Sequence, residues 1–160
     1  MFGGLSKETA FDDLWRFDIL KNSWHLVETK GTRPSARVAH TTTYIGESFL
    51  VVFGGMTRSP KLVTYDDIFV LNLQTKEWSR IDAAAAPPGP PGTRLDHDIC
   101  LVPRLVRTED GISVDLNRIA DGSDSIKSPK DLSAWSLLLY GGMNIGNVFN
   151  DTFELCLDFE

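Results

Sequence analysis

Cysteine is scarce in this sequence. Only Cys100 and Cys156 occur in 160 residues, which excludes a disulfide-stapled scaffold and fits a reducing compartment. Long apolar runs are also missing: Phe49 to Phe53 and Leu137 to Tyr140 fall far short of the roughly 20 residues a membrane-spanning helix needs. The opening residues, Met1-Phe2-Gly3-Gly4-Leu5-Ser6-Lys7-Glu8, have neither the basic nor the apolar stretch of a secretion signal. The expectation is a cytosolic protein with reduced thiols, and the glycosylation pattern Asn150-Asp151-Thr152 carries no weight without a secretory route. Positive charge is in deficit, with 16 lysines and arginines against 22 acidic residues and a net charge of −6, which argues against general binding to nucleic acid or anionic membranes. Histidine is rare, with His25, His40 and His97 alone. No cluster of histidine, cysteine, tyrosine or carboxylate has ligand spacing, and no nucleophile sits beside a base. Neither a metal, a cofactor nor a catalytic residue is therefore expected.

What the chain has instead is a repeat. Phe2-Gly3-Gly4, Phe53-Gly54-Gly55 and Tyr140-Gly141-Gly142 each close or open an apolar stretch, and each is followed by a polar loop and an acidic pair or its equivalent: Asp12-Asp13, Asp66-Asp67, Asn150-Asp151. An aromatic and β-branched segment follows each time, at 14–19, 68–73 and 152–157, a composition that suits a pleated surface. Trp24 and Trp78 each lie 11 residues beyond the second aspartate (24 − 13 and 78 − 67), so the first two units superimpose without a gap. Arg37-Val38-Ala39-His40 and Arg94-Leu95-Asp96-His97 form a further aligned pair, 57 residues apart (94 − 37).

An apolar strand ending in Gly-Gly, an acidic residue before an aromatic strand and then a tryptophan resemble the kelch repeat. The resemblance covers residues 1 to 102 and 135 to 159. It implies an all-β fold of antiparallel four-stranded blades arranged around a channel, here an incomplete β-propeller: a partial blade over 1–28, a complete blade over 37–82 and a partial blade over 94–159. The strands of the complete blade are predicted at 38–44, 49–53, 67–73 and 77–81. Residues 104–134, polar and rich in turn formers, read as an insertion, and the alanine- and proline-rich run 83–92 reads as an extended linker.

Because each blade is packed on both faces, its inner strands should be apolar on both sides, as Phe49 to Phe53 and Leu137 to Tyr140 are. Trp24 and Trp78 are expected to fill the space between blades. Asp13 and Asp67 are expected to accept backbone N–H bonds and fix the turn into the next strand. His40 and His97 occupy equivalent places, but two histidines are too few to hold a metal. Cys100 and Cys156 fall on non-adjacent strands of one blade and are not expected to bond.

The resemblance implies that loops between second and third strands, and between blades, form a partner-binding face: 5–11, 56–65, 143–149, 28–36 and 82–93. Family members with acidic peptide partners line the channel mouth with arginines at the start of first strands, and Arg37 and Arg94 match that position. Arg58 and Lys61 add positive charge nearby, and Asn144 lies in the third loop. These five are the candidate contacts for a protein or peptide partner carrying carboxylates, with internal pairing of the two arginines to aspartates as the competing possibility. The expected role is an interaction scaffold or adaptor. The alternatives are a piece of a kelch-containing enzyme, such as a copper oxidase or an iron-dependent specifier protein, or the regulatory module of a larger enzyme or ubiquitin-ligase adaptor. Three units do not close a ring, so further blades or self-association are expected to cover the apolar faces left open.

Overall fold

The computed structural model describes residues 1–46, 48–58, 60–82, 89–103, 105–108, 111–114 and 135–156. All regular elements among them are strands. The first unit contains β1 (Phe2–Ser6), β2 (Thr9–Asp18) and β3 (Ser23–Leu26), antiparallel neighbours in the order β1-β2-β3. A short strand β4 (Lys30–Gly31) leads to the second unit, β5 (Thr41–Ile45), β6 (Phe49–Phe53), the loop strands β7 (Met56–Thr57) and β8 (Val63–Thr64), β9 (Ile68–Asn72) and β10 (Glu77–Ile81). Its sheet has the order β4-β10-β9-β6-β5, with β4 parallel to β10, so the chain leaving one unit adds an outer strand to the next. The third unit contains β11 (Asp98–Pro103), a hairpin of β12 (Leu105–Thr108) and β13 (Gly111–Val114), then β14 (Trp135–Tyr140) and β15 (Thr152–Cys156). Its sheet runs β11-β14-β15. The fold is all-β, with several antiparallel sheets, none closed: part of a propeller. Apart from the β12–β13 hairpin, the proposed insertion at 104–134 lies outside the described residues, as do most of the linker run and residues 157–160.

Register explains the packing. In the second unit, Phe53 and Ile68 share one face with Val51 and Val70, and these pack with Ile45 and Phe49 against Leu137 and Leu139 of the third unit. The opposite face carries Val52, Phe69, Leu71 and Trp78, packed with Phe2 and Leu14 of the first unit. Both faces of β6 and β9 are thus apolar because both are covered, and burying such side chains contributes roughly 1.5–3 kcal/mol each.

Two differences from the sequence expectation have physical causes. The first strand of the second unit starts at Thr41, later than predicted, because Ala39 takes a left-handed backbone (φ 55), as does its counterpart Asp96 (φ 52). That turn lets the Arg-x-x-His segment thread between the glycine pairs of two successive units. Trp24, expected to pack between blades, is 53% exposed, whereas Trp78 is 2% exposed. The register Phe17↔Trp24 and Trp15↔Leu26 puts these four side chains on the face turned away from the second unit, where nothing among the described residues covers them. At the other end, the outward face of the third unit carries Asp98, Tyr140 and Thr152 in one row and Cys100, Leu138 and Glu154 in the next. The two end faces therefore differ, one aromatic and the other largely polar.

Gly54 shows why the glycine pair recurs. It has φ +66, and a Cβ there would lie 2.6 Å from the Arg94 carbonyl oxygen and 2.9 Å from the His97 ring. Gly54→Ala is expected to lose at least the 1–2 kcal/mol or so of a left-handed alanine, read as a lower urea midpoint.

Candidate functional site

The Arg-x-x-His segments are the joints between units, and each is held from both sides. The Arg37 N–H donates to the Phe11 carbonyl of the first unit (3.1 Å), and its own carbonyl accepts from Gly4 (3.0 Å). Arg94 repeats this one unit later, donating to Tyr65 (3.3 Å) and accepting from Gly55 (2.8 Å). The next residue turns back to its own unit: Val38 exchanges two backbone hydrogen bonds with Met56, and Leu95 two with Met143, all 2.9 Å.

The guanidinium groups are buried, Arg37 at 0% and Arg94 at 1% exposure. Arg37 donates from Nη1 to the Gly54 carbonyl (2.9 Å) and to Asp67 Oδ1 (2.6 Å), from Nη2 to Asp67 Oδ2 (3.2 Å), and from Nε to the Ser35 carbonyl (3.0 Å). Its Cζ lies 4.1 Å from the Tyr65 ring centroid and 5.5 Å from that of Phe69. Arg94 makes the same set with Gly141 (2.9 Å) and Asp151 (2.8 and 3.3 Å), at 4.5 Å from Phe149 and 5.1 Å from Phe153. The Arg94 hydrogen bonds hold the Asp151 carboxyl below its ordinary pKa. A forked, delocalised cation suits such a site because it satisfies two carboxylate oxygens and a carbonyl at once while stacking on rings.

These contacts place the two arginines inside the units. Of the two roles weighed from the sequence, internal pairing with aspartate describes their geometry, and neither guanidinium is offered to a partner at the surface. The aspartates differ from expectation too: Asp67 is the arginine's counter-ion, and Asp13 accepts from the Trp15 indole N–H (2.7 Å) instead of from backbone. The ring positions went unread in the sequence, although their signal is there. An aromatic residue stands two before and two after the aspartate in all three units: Phe11 and Trp15, Tyr65 and Phe69, Phe149 and Phe153.

The histidines complete the joints. His40 packs edge-on against Phe2 (5.5 Å) and His97 against Phe53 (5.1 Å), in each case the aromatic residue before the preceding unit's glycine pair. His97 Nε2 lies 2.9 Å from Thr41 Oγ1, and Nδ1 of both rings is buried without a hydrogen-bond partner. Burial, and then the adjacent arginine charge, lowers each to a pKa of about 4, so both rings are neutral at pH 7. Among the described residues no group of three or more histidine, cysteine, aspartate or glutamate side chains is placed to hold a metal.

The remaining candidates sit on loops. Arg58 and Lys61 are exposed in the 56–65 loop, beside the exposed Leu62 and Val63. In the 143–149 loop Ile145 and Val148 are 75% and 82% exposed. Asn144 serves that loop's own turn, its Oδ1 accepting from the backbone N–H groups of Gly146 and Asn147 (3.0 Å each).

Comparison with known proteins agrees with this architecture. Residues 1–106 match the family model described as the KLHDC2/KLHL20/DRC7 Kelch-repeats domain. The chain is 37% identical over 81 residues to Acyl-CoA-binding domain-containing protein 4 of Arabidopsis thaliana, covering 50% of this chain and 12% of that protein. It is 31% identical to Tip elongation aberrant protein 1 of Schizosaccharomyces pombe over 175 aligned residues, covering 94% of this chain and 15% of that protein. Host cell factor 2 of Homo sapiens is 34% identical over 92 residues, 51% of this chain and 11% of its own length. The chain thus spans only a small part of these relatives. With a family model matching most of its length and the same glycine, arginine and aspartate joints rebuilt from unit to unit, the chain belongs to the kelch-repeat family.

Proposed function

We propose that the chain is a non-catalytic protein-interaction module whose loop face, formed by the second and third units, holds an apolar and acidic segment of a partner protein. The supporting observation is a local reversal of character. On a chain of net charge −6, residues 56–65 carry Arg58 and Lys61 with no carboxylate, and residues 143–149 carry no charge. Both loops expose aliphatic side chains: Leu62 and Val63 in one, Ile145 and Val148 in the other. Apolar anchors supply the burial, and the two cations select for carboxylates and speed encounter. The free thiols of Cys100 and Cys156, both exposed, favour a reducing compartment such as the cytosol. Further blades from outside these residues would cover the aromatic face of the first unit.

The test is calorimetric titration of the 160-residue chain with a panel of synthetic peptides in which leucine or phenylalanine alternates with glutamate. The double variant Arg58→Glu with Lys61→Glu is expected to weaken the best binder at least tenfold and to flatten its salt dependence, and Ile145→Asp with Val148→Asp to weaken it similarly. Equal binding of lysine-alternating peptides, or unchanged affinity in both variants, overturns the proposal.

A further inference from the structure

The geometry points to an arginine-binding socket on the first unit, built to receive an Arg-x-x-His strand from outside these 160 residues. In the second and third units the socket consists of the first glycine's carbonyl, an aspartate, and two flanking rings. It is filled by that unit's own arginine, as described above. The first unit has every wall: Gly3 stands where Gly54 and Gly141 stand, Asp13 where Asp67 and Asp151 stand, and Phe11 and Trp15 where the paired rings stand. The arginine is what it lacks. Seventeen residues separate Arg37 from Gly54, and only two residues precede Gly3.

A second observation locates the same space. A Cβ on Gly55 would collide with the Val38 carbonyl and the His40 side chain, and one on Gly142 with the Leu95 carbonyl and His97, all at 2.8 Å or less. These are the contacts of each unit's own Arg-x-x-His segment with its second glycine. Gly4, their counterpart, shares the positive φ (113) yet would meet nothing within 4 Å. The backbone is shaped for an occupant, and the volume over Gly4 is open. Beside it, Leu5 occupies the place of Met56 and Met143, the residues whose backbones pair with the segment in the other units.

The Trp15 indole stands in for the cation. Its N–H donates to Asp13 Oδ2 at 2.7 Å, whereas the counterparts Phe69 and Phe153 carry no donor. A carboxylate accepts about four hydrogen bonds, so this contact leaves Oδ1 to an incoming guanidinium. The neighbouring cation Arg33 is engaged by Asp12 (3.2 Å). A folded second copy is a poor source of the arginine, because Arg37 and Arg94, the residues in Arg-x-x-His segments, are already buried in their own units. The occupant is therefore a strand of the same pattern from additional polypeptide. This inference is independent of the loop-face proposal, which concerns other residues.

The experiment titrates the chain with a synthetic peptide of its own residues 35–45, which carry Arg37 and His40, and follows the Trp15 indole N–H by NMR. Binding is expected to shift that resonance. Replacing the peptide's Arg37 by alanine should weaken binding at least tenfold, and lysine should not restore it; these peptide changes leave the protein untouched. Asp13→Asn in the chain is expected to abolish the preference for arginine, while Trp15→Phe, which keeps a ring and frees Oδ2, is expected to retain it. A resonance that does not move, or equal affinity for the arginine and alanine peptides, overturns the inference.

Discussion

Arg37→Ala is expected to unfold the second unit's joint at a cost of about 3–5 kcal/mol, the range for removing one partner from a buried ion pair. The large figure has a specific origin. The substitution leaves Asp67, whose side chain is 16% exposed, without its counter-ion, and takes a donor from the Gly54 carbonyl. It also empties a space beside Tyr65 and Phe69. For a domain of ordinary stability that is a large fraction of the total. Arg37→Lys is expected to recover little, because one ammonium cannot reach two carboxylate oxygens and a carbonyl in a plane while lying on two rings. Denaturant titration followed by tryptophan fluorescence checks both. A midpoint for Arg37→Ala within error of the parent chain would show that the pair does not hold the unit together. Arg94→Ala should cost less, since Asp151 is the more exposed partner at 41% against 16% and can turn to water.

Acidification is the second large effect. His40 and His97 both have pKa values lowered from 6.5 to about 4 in the folded chain, while in the unfolded chain they return to the ordinary histidine value. Between those limits the unfolded state binds more protons, so stability rises with pH through that window. The contribution is complete above about pH 6.5 and is lost as pH falls towards 4. A shift of this size corresponds to about 3 kcal/mol per histidine as an upper bound. The loss should begin before ordinary carboxylates titrate, and a chain carrying His40→Gln and His97→Gln should show a flat profile from pH 7 to 5. Urea midpoints taken across that range decide it. A parent chain equally stable at pH 7 and pH 5 would mean that the rings reach water when protonated.

How much of this was legible in the sequence depends on how local each cause is. The bounds of β6 and β10 were readable to the residue, because an apolar run between turn formers and a short segment around Trp78 carry their own limits. The repeat was readable as well, since Gly-Gly, aspartate and tryptophan recur at fixed spacing. The start of β5 was not, because Ala39 adopts its left-handed turn through contact with glycines from two units. Trp24 and Trp78 have the same local sequence context, and only the neighbour that covers one of them makes their exposures differ. For Arg37 the deciding partner lies 30 residues away, beyond anything a local pattern reveals. The aromatic positions flanking each aspartate were visible, but without the arginine over them they read as ordinary strand residues.

The unlike chemistry of the two end faces bears on how copies of the chain meet. Head-to-tail stacking would set Asp98, Thr152 and Glu154 of one molecule against Trp15, Phe17 and Trp24 of the next. That contact would desolvate carboxylates against aromatic rings that offer them little in return. Heterologous contacts that repeat without closing grow fibres. An array exposing the same apolar face at both ends would be prone to such growth, whereas the polar row on the third unit acts as a chain terminator for polymerisation in one direction.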